Sequence, residues 1–166
     1  SPEQAMNSDN VDFRSDIFSV GTLLYQLSTS DLPFKGKNPH EVLRRISDGR
    51  FAEPEVVNPL VGSKLGRIIR KALAHDPGDR YLLVHHLEEE LLAFLAEADV
   101  RDPRTELTAY FADPDVYTVA LQKRVATALT ARGKAALQFR QMPQALQYFD
   151  RVLCIEPHNT QVLALL

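Results

Sequence analysis

The sequence predicts a predominantly all-α protein, and three observations predict it. Apolar residues recur at helical spacing in one segment after another, prolines stand where helices open or end, and no stretch alternates long enough to make a strand. The 166 residues are 45% apolar and 25% charged, the proportions of an ordinary globular chain. A formal net charge of −3 argues against nucleic acid or an anionic membrane as partner. The one cysteine, Cys154, excludes an internal disulfide framework and, in an amphipathic helix, is expected as a small core residue. No apolar run approaches the roughly 20 residues that cross a bilayer, and residues 1–12 lack the character of a signal peptide, so the cytoplasm is the expected location. The start at serine and the stop inside Val162-Leu163-Ala164-Leu165-Leu166 lead us to expect a piece of a longer chain.

The first strong helix is expected over residues 15–27, with Ser15 as N-cap and Asp16 in the first turn, where a carboxylate suits the positive end of the dipole. Ile17, Phe18, Val20, Leu23, Leu24 and Leu27 cover most of its circumference, so it should be buried all round. Asp31-Leu32-Pro33-Phe34-Lys35-Gly36 breaks the chain. Asn38 as N-cap, Pro39 at the first helical position and Gly49 past the end bracket the next helix. Pro54 and Pro59 should hold the following stretch open. A helix over 63–73 places Leu65, Ile68, Ile69, Ala72 and Leu73 inward and Lys64, Arg67, Arg70 and Lys71 outward, until His75-Asp76-Pro77-Gly78-Asp79 stops it. Residues 83–96 form another, with Leu87, Leu91, Leu92 and Leu95 at helical spacing and Glu88-Glu89-Glu90 as a solvated start. The charged stretch 99–104 is the best domain boundary. Asp113 then caps a long helix that opens at Pro114 and reaches about residue 140, and Pro143 begins one that ends before Pro157.

Four short patterns fall in one order. Ser1-Pro2-Glu3 is followed by Asp16-Ile17-Phe18-Ser19-Val20-Gly21, then by Pro33-Phe34, then by Asp76-Pro77-Gly78-Asp79-Arg80. Together they resemble the last part of a protein kinase domain, of bacterial Ser/Thr type, from its Ala-Pro-Glu motif onward. Serine replaces the alanine of that motif, and Phe18 replaces the tryptophan of Asp-x-Trp-Ser-x-Gly. The resemblance covers residues 1–97 and implies a helical segment of the large lobe. It implies that Glu3 pairs with Arg80, that Asp16 accepts hydrogen bonds from the catalytic-loop backbone, and that Gly21 lets another backbone come close. These are the structural family residues of the chain.

The chemistry of that family lies upstream of its Ala-Pro-Glu motif. The seven glycines (21, 36, 49, 62, 66, 78 and 133) contain no phosphate-loop trio, and none of the five histidines begins a His-Arg-Asp motif. Asp12-Phe13-Arg14 lacks the glycine of Asp-Phe-Gly and lies on the wrong side of Ser1-Pro2-Glu3. His75, His85 and His86 read as a solvated helix face, not a metal site. No catalytic, cofactor-binding or metal-binding residue is therefore expected here; ATP and Mg²⁺ are implied only for an intact parent kinase. With part of its usual cover missing, the 15–27 helix should expose an apolar patch near Phe18 and Leu24.

Residues 126–166 resemble a tetratricopeptide repeat and the start of a second, after a helical linker at 98–125. Counted from Ala126, the large residue at the fourth position, the glycine at the eighth, the alanine at the twentieth, the aromatic at the twenty-fourth and the proline at the thirty-second are Leu129, Gly133, Ala145, Phe149 and Pro157. Arg132 and Ala136 depart from the leucine and tyrosine of that pattern. The resemblance implies partners: upstream kinase segments, further repeats, and a protein or peptide ligand of the array. The function expected is that of a fragment of a Ser/Thr protein kinase, itself catalytically inactive. The alternative is a non-catalytic scaffold derived from a kinase.

Overall fold

The computed structural model describes residues 1–6 and 11–166, and among them the regular structure is entirely helical. The chain divides into two compact units, Ser1–Leu91 and Leu92–Leu166.

The first unit opens with the single turn α1 (Pro2–Ala5) and continues into α2 (Arg14–Thr29). The start of α2 differs from expectation: Ser15 is not its N-cap but lies inside the helix and is buried. Asp12 serves the end instead, its carboxylate accepting from the Arg14 backbone N–H at 2.8 Å and pairing with the Arg14 guanidinium at 2.7 Å. The Asp-Phe-Arg triplet is thus a helix entry. At the other end Ser30 turns left-handed, φ 58°, and its N–H closes on the Gln26 carbonyl at 2.8 Å.

α2 is not covered all round. Ile17, Phe18, Gly21 and Tyr25 are buried, whereas Val20, Leu23 and Leu27, one stripe at i, i+3 and i+7, are 37%, 56% and 82% exposed. The open apolar strip therefore lies here and not at Phe18, whose ring stacks on Phe34 at 5.7 Å between centroids. Phe51 continues the cluster edge-on to Phe34 at 5.6 Å and to Tyr25 at 5.9 Å. Such pairs add about 0.5–1.5 kcal/mol each beyond burial. The Tyr25 hydroxyl donates to the Ala52 carbonyl at 3.0 Å, so its polar tip is satisfied at the edge of the core.

α3 (Pro39–Asp48) has the expected cap: the Asn38 side chain accepts from the Glu41 N–H at 2.9 Å, and Gly49 ends the helix at φ 63°. Pro54 and Pro59 do not hold the chain open. Each starts a short helix, α4 (Pro54–Val57) and a 3₁₀ turn at Pro59–Val61, because proline at the first position needs no intrahelical donor. Asn58 caps that turn and donates to the Ser28 carbonyl at 2.7 Å, satisfying an open carbonyl at the end of α2.

α5 (Gly62–Ala72) buries Ile68, Ile69 and Ala72. Its cations are tethered: Arg70 reaches Glu53 at 2.7 Å and Glu55 at 2.6 Å, while Arg67 and Lys71 approach Glu90 at 3.3 and 3.7 Å. Glu90 is thus half-buried and paired, not simply solvated like the exposed Glu88 and Glu89. α5 crosses α2 at Gly21, where a β-carbon would stand 2.9 Å from Ala72 Cβ and 3.1 Å from Leu73 Cγ. Replacing Gly21 with alanine should cost about 1–3 kcal/mol through overpacking, against a gain of up to about 1 kcal/mol in helix propensity. Urea unfolding should therefore give a lowered midpoint for G21A; an unchanged or raised midpoint would contradict this close crossing.

The second unit begins within α6 (Val84–Glu97). The stretch expected as a helical linker holds α7 (Pro103–Ala112), capped by Asp102 and opened by Pro103 just as Asp113 and Pro114 open α8 (Pro114–Gln138). α7 and α8 are tied by Glu106, which accepts from the Arg124 guanidinium at 2.6 Å and from the Tyr117 hydroxyl. These two bonds, Arg124's first, hold the Glu106 carboxyl below the usual carboxylate range. α9 (Met142–Ile155) folds back on α8, and α10 (Thr160–Leu163) follows with Asn159 as its cap. Cys154 is exposed, contrary to expectation. The buried face of α9 is Ala145, Tyr148, Phe149 and Val152, and nine residues on from Ala145 the helix has turned half a revolution away.

Candidate functional site

The first unit gathers its polar interior at Arg80. That residue follows the turn at Pro77–Asp79, where Asp76 caps by accepting from the Gly78 N–H at 2.7 Å. The turn throws the Arg80 side chain back under α2, where it is 2% exposed. A guanidinium has five N–H donors and no acceptor, so burying it demands five bonds. All five are present. Nη1 donates to Glu3 Oε1 and to the Arg14 carbonyl, each at 2.9 Å. Nη2 donates to Glu3 Oε2 at 2.9 Å and to the His75 carbonyl at 3.2 Å. Nε donates to the Ala74 carbonyl at 2.8 Å. The guanidinium also lies over the Phe18 ring, 4.9 Å from its centroid.

Glu3, 8% exposed, meets this fork with both oxygens, and the Ser15 hydroxyl donates a further bond to Oε1. Burial alone would raise its pKa, but the bonds from Arg80 and then Ser15 outweigh burial and hold the carboxyl well below the usual range. Pro2 helps to present it: the turn α1 starts there, and Ser1 and Gln4 close a capping box around it. Glu3 and Arg80 are 77 positions apart in sequence, so this cluster ties the start of the unit to the turn before α6 and to the first turn of α2. It is an anchor: the two bonds between guanidinium and carboxylate hold both charges in place.

The other residues singled out from the sequence lie elsewhere. Asp16 is exposed in the first turn of α2, outside the Arg80 cluster. Gly21 sits one turn further along, at the crossing with α5. Sequence reasoning missed Ser15 as the second donor to Glu3, and the carbonyls of Arg14, Ala74 and His75. The signal for the carbonyls was available: one carboxylate cannot satisfy five guanidinium donors.

In the second unit Leu129, Ala145 and Phe149 are fully buried and come together in the hairpin of α8 and α9 with Ala126, Val152 and Val162. Gly133 is the contact point. A β-carbon there would lie 2.3 Å from Phe149 Cε1 and 2.7 Å from Cδ1, so the ring occupies the space that a side chain would need. Pro157 is exposed, two residues past the end of α9. Between the helices Arg140 takes the left-handed conformation at φ 58°, and the N–H groups of Arg140 and Gln141 bond the carbonyls of Leu137 and Ala136 at 3.0 and 2.9 Å. Arg132, at the place of the pattern's leucine, turns outward and donates to the last carbonyls of α6, Glu97 at 2.9 Å and Ala96 at 3.2 Å. A cation at the negative end of a helix is favourable, which gives this departure a physical reason.

No protein-family profile matches the chain. It is 36% identical over 96 residues to the tyrosine-protein kinase MasK of Myxococcus xanthus, covering 58% of this chain and 15% of that protein. To a probable serine/threonine-protein kinase of Clostridium perfringens it is 30% identical over 119 residues, covering 71% and 16%. To serine/threonine-protein kinase PknB of Mycobacterium tuberculosis it is 34% identical over 92 residues, covering 55% and 14%. The chain thus spans about one sixth or less of the length of these relatives. Among solved structures, the twitchin kinase region of C. elegans aligns at a TM-score of 0.51 and 30% identity, over 54% of this chain and 16% of that one. The similarity in sequence spans 55–71% of the chain and the similarity in structure 54%, and both point to kinases. The chain carries an all-helical part that is similar to the C-terminal region of protein kinases.

Proposed function

We propose that this chain is the base of the large lobe of a Ser/Thr protein kinase joined to a tetratricopeptide-repeat arm. The parent would transfer the γ-phosphate of ATP to a protein hydroxyl. The piece seen here would anchor the end of the activation segment and present a docking arm, without itself binding nucleotide. The observation that carries the reading is the buried Glu3–Arg80 pair, joined in two parallel bonds across 77 positions. An anchor of that kind suits a segment that must stay fixed while the loop before it moves. Serine or threonine as the acceptor rests on most of the relatives' names, with MasK a tyrosine-protein kinase by its own. The repeat reading is supported by the close fit of Phe149 onto Gly133.

On this reading ATP and Mg²⁺ belong to other segments of the parent, and what supports it is that the seven glycines of this chain contain no phosphate-loop trio. Titration calorimetry of this chain with Mg-ATP is expected to give no saturable heat. Clear one-to-one binding would sink the proposal that the nucleotide site lies in other segments of the parent. No helix among the described residues is long and apolar enough to cross a membrane.

A further inference from the structure

The first half of α8 lacks the cover that its second half has. The helix is 25 residues long, yet its buried residues, Ala126, Leu129, Thr130, Gly133 and Ala136, all lie where α9 packs on it. α7 takes one side of the first half, through Glu106 with Tyr117 and Arg124, which stand seven residues apart on the same side. Val119 is two residues on from Tyr117 and so is turned about 200° away from α7. It stands in a row with Asp115 and Lys123, four residues to either side, with Val116 and Ala120 in the row beside it. All five are exposed, Val116 at 67% and Val119 at 69%. Asp115 and Lys123 enter no ion pair among the described residues.

We propose that this strip pairs with the same strip of a second copy of the chain, the two α8 helices running antiparallel about a two-fold axis at Val119. The strip is complementary to itself in that arrangement. Asp115 and Lys123 each lie four residues from Val119, so Asp115 of either copy stands opposite Lys123 of the other. Two ion pairs then flank a centre made of Val116, Val119 and the small Ala120, which lets the helices approach. A row of one sign would repel its own copy, and a foreign partner would need no such balance about one apolar residue. The net charge of −3 per chain adds only weak repulsion. Three turns from each copy fall short of the roughly 800 Å² per partner of a standard interface, so a weak dimer is expected, with Kd on the order of 10–100 µM. α8 alone carries this pairing, independent of the repeat reading.

Sedimentation velocity of the full chain between about 2 and 300 µM should show a monomer passing into a dimer. Val119→Lys sets two like charges on the axis and should hold the chain monomeric across that range, while melting like the parent at low concentration. Asp115→Lys and Lys123→Glu should each weaken association about tenfold, since each sets like charges opposite one another twice. An equimolar mixture of those two variants should recover the dimer, because each supplies the charge that the other lacks. Positions 115 and 123 are about 12 Å apart along one helix, so recovery on mixing reports contact between copies and not a repair within one chain. A monomer at every concentration, a dimer that survives Val119→Lys, or a mixture no more associated than its components would each overturn the proposal.

Discussion

Arg80→Leu is expected to destabilise the first unit by about 3–5 kcal/mol, the cost of breaking a buried pair from one side. Two consequences add. The Glu3 carboxylate loses its fork, and the carbonyls of Arg14, Ala74 and His75 lose the donors that satisfy them. Arg80→Lys should recover little, because an ammonium has three donors for five acceptors and no planar fork. Glu3→Gln should also destabilise, since Arg80, at 2% exposed, has no route to water. Chemical denaturation of both single variants and the double variant should give a coupling of about 1–3 kcal/mol; additive effects would show that the pair does not act as a unit. Acid supplies an independent check. The folded-state pKa of Glu3 is depressed, so its contribution is complete above the unfolded value of about 4.3 and is lost as pH falls below that toward the folded value. The stability gap between the parent and Glu3→Gln should therefore narrow below about pH 4, and a gap unchanged by pH would count against the carboxylate.

Phe149→Ala should cost the second unit about 3–5 kcal/mol, the range for emptying a fully buried aromatic site. Gly133→Ala attacks the same contact from the other side. Its new methyl would overlap the ring, and the ring is boxed in by Leu129, Ala145 and Val152, so it cannot move away freely. A cost of about 1–3 kcal/mol or more is expected, in spite of alanine's better helix propensity. The two changes should not add. In Gly133→Ala with Phe149→Leu the smaller side chain makes room for the methyl, so the double variant should melt above the sum of its parts. Strict additivity by calorimetry would mean that glycine and ring do not share the space.

Much of this architecture was legible in the sequence where a local rule acts alone. Asn38-Pro39, Asp113-Pro114 and Gly49 mark helix ends because capping needs only neighbouring residues and a φ value. The same rule gives α7 its start at Asp102-Pro103, inside the stretch expected as a helical linker. Ser15 misled for the opposite reason. A serine before an amphipathic run is a good cap, but here Asp12 reached the helix end first and the hydroxyl was drawn to Glu3. Ala145 and Phe149, which the repeat resemblance singles out, lie on the buried face of α9, whereas Cys154, expected as a small core residue, lies half a revolution away and is exposed.

By itself the sequence determined the helical class, most helix ends, the order of the kinase-like patterns and the glycine–aromatic spacing of the hairpin. The first two follow from backbone geometry and periodicity over a few turns, the last two from resemblance to known families. Only the tertiary structure decided what covers each face and how each buried charge is satisfied. α2 is apolar nearly all round, yet Val20, Leu23 and Leu27 face outward, because burial depends on which elements arrive and not on the helix's own pattern. Arg80 becomes an anchor only because the Glu3 carboxylate and the Arg14 carbonyl, 77 and 66 positions away, join the nearby Ala74 and His75 carbonyls on its five donors.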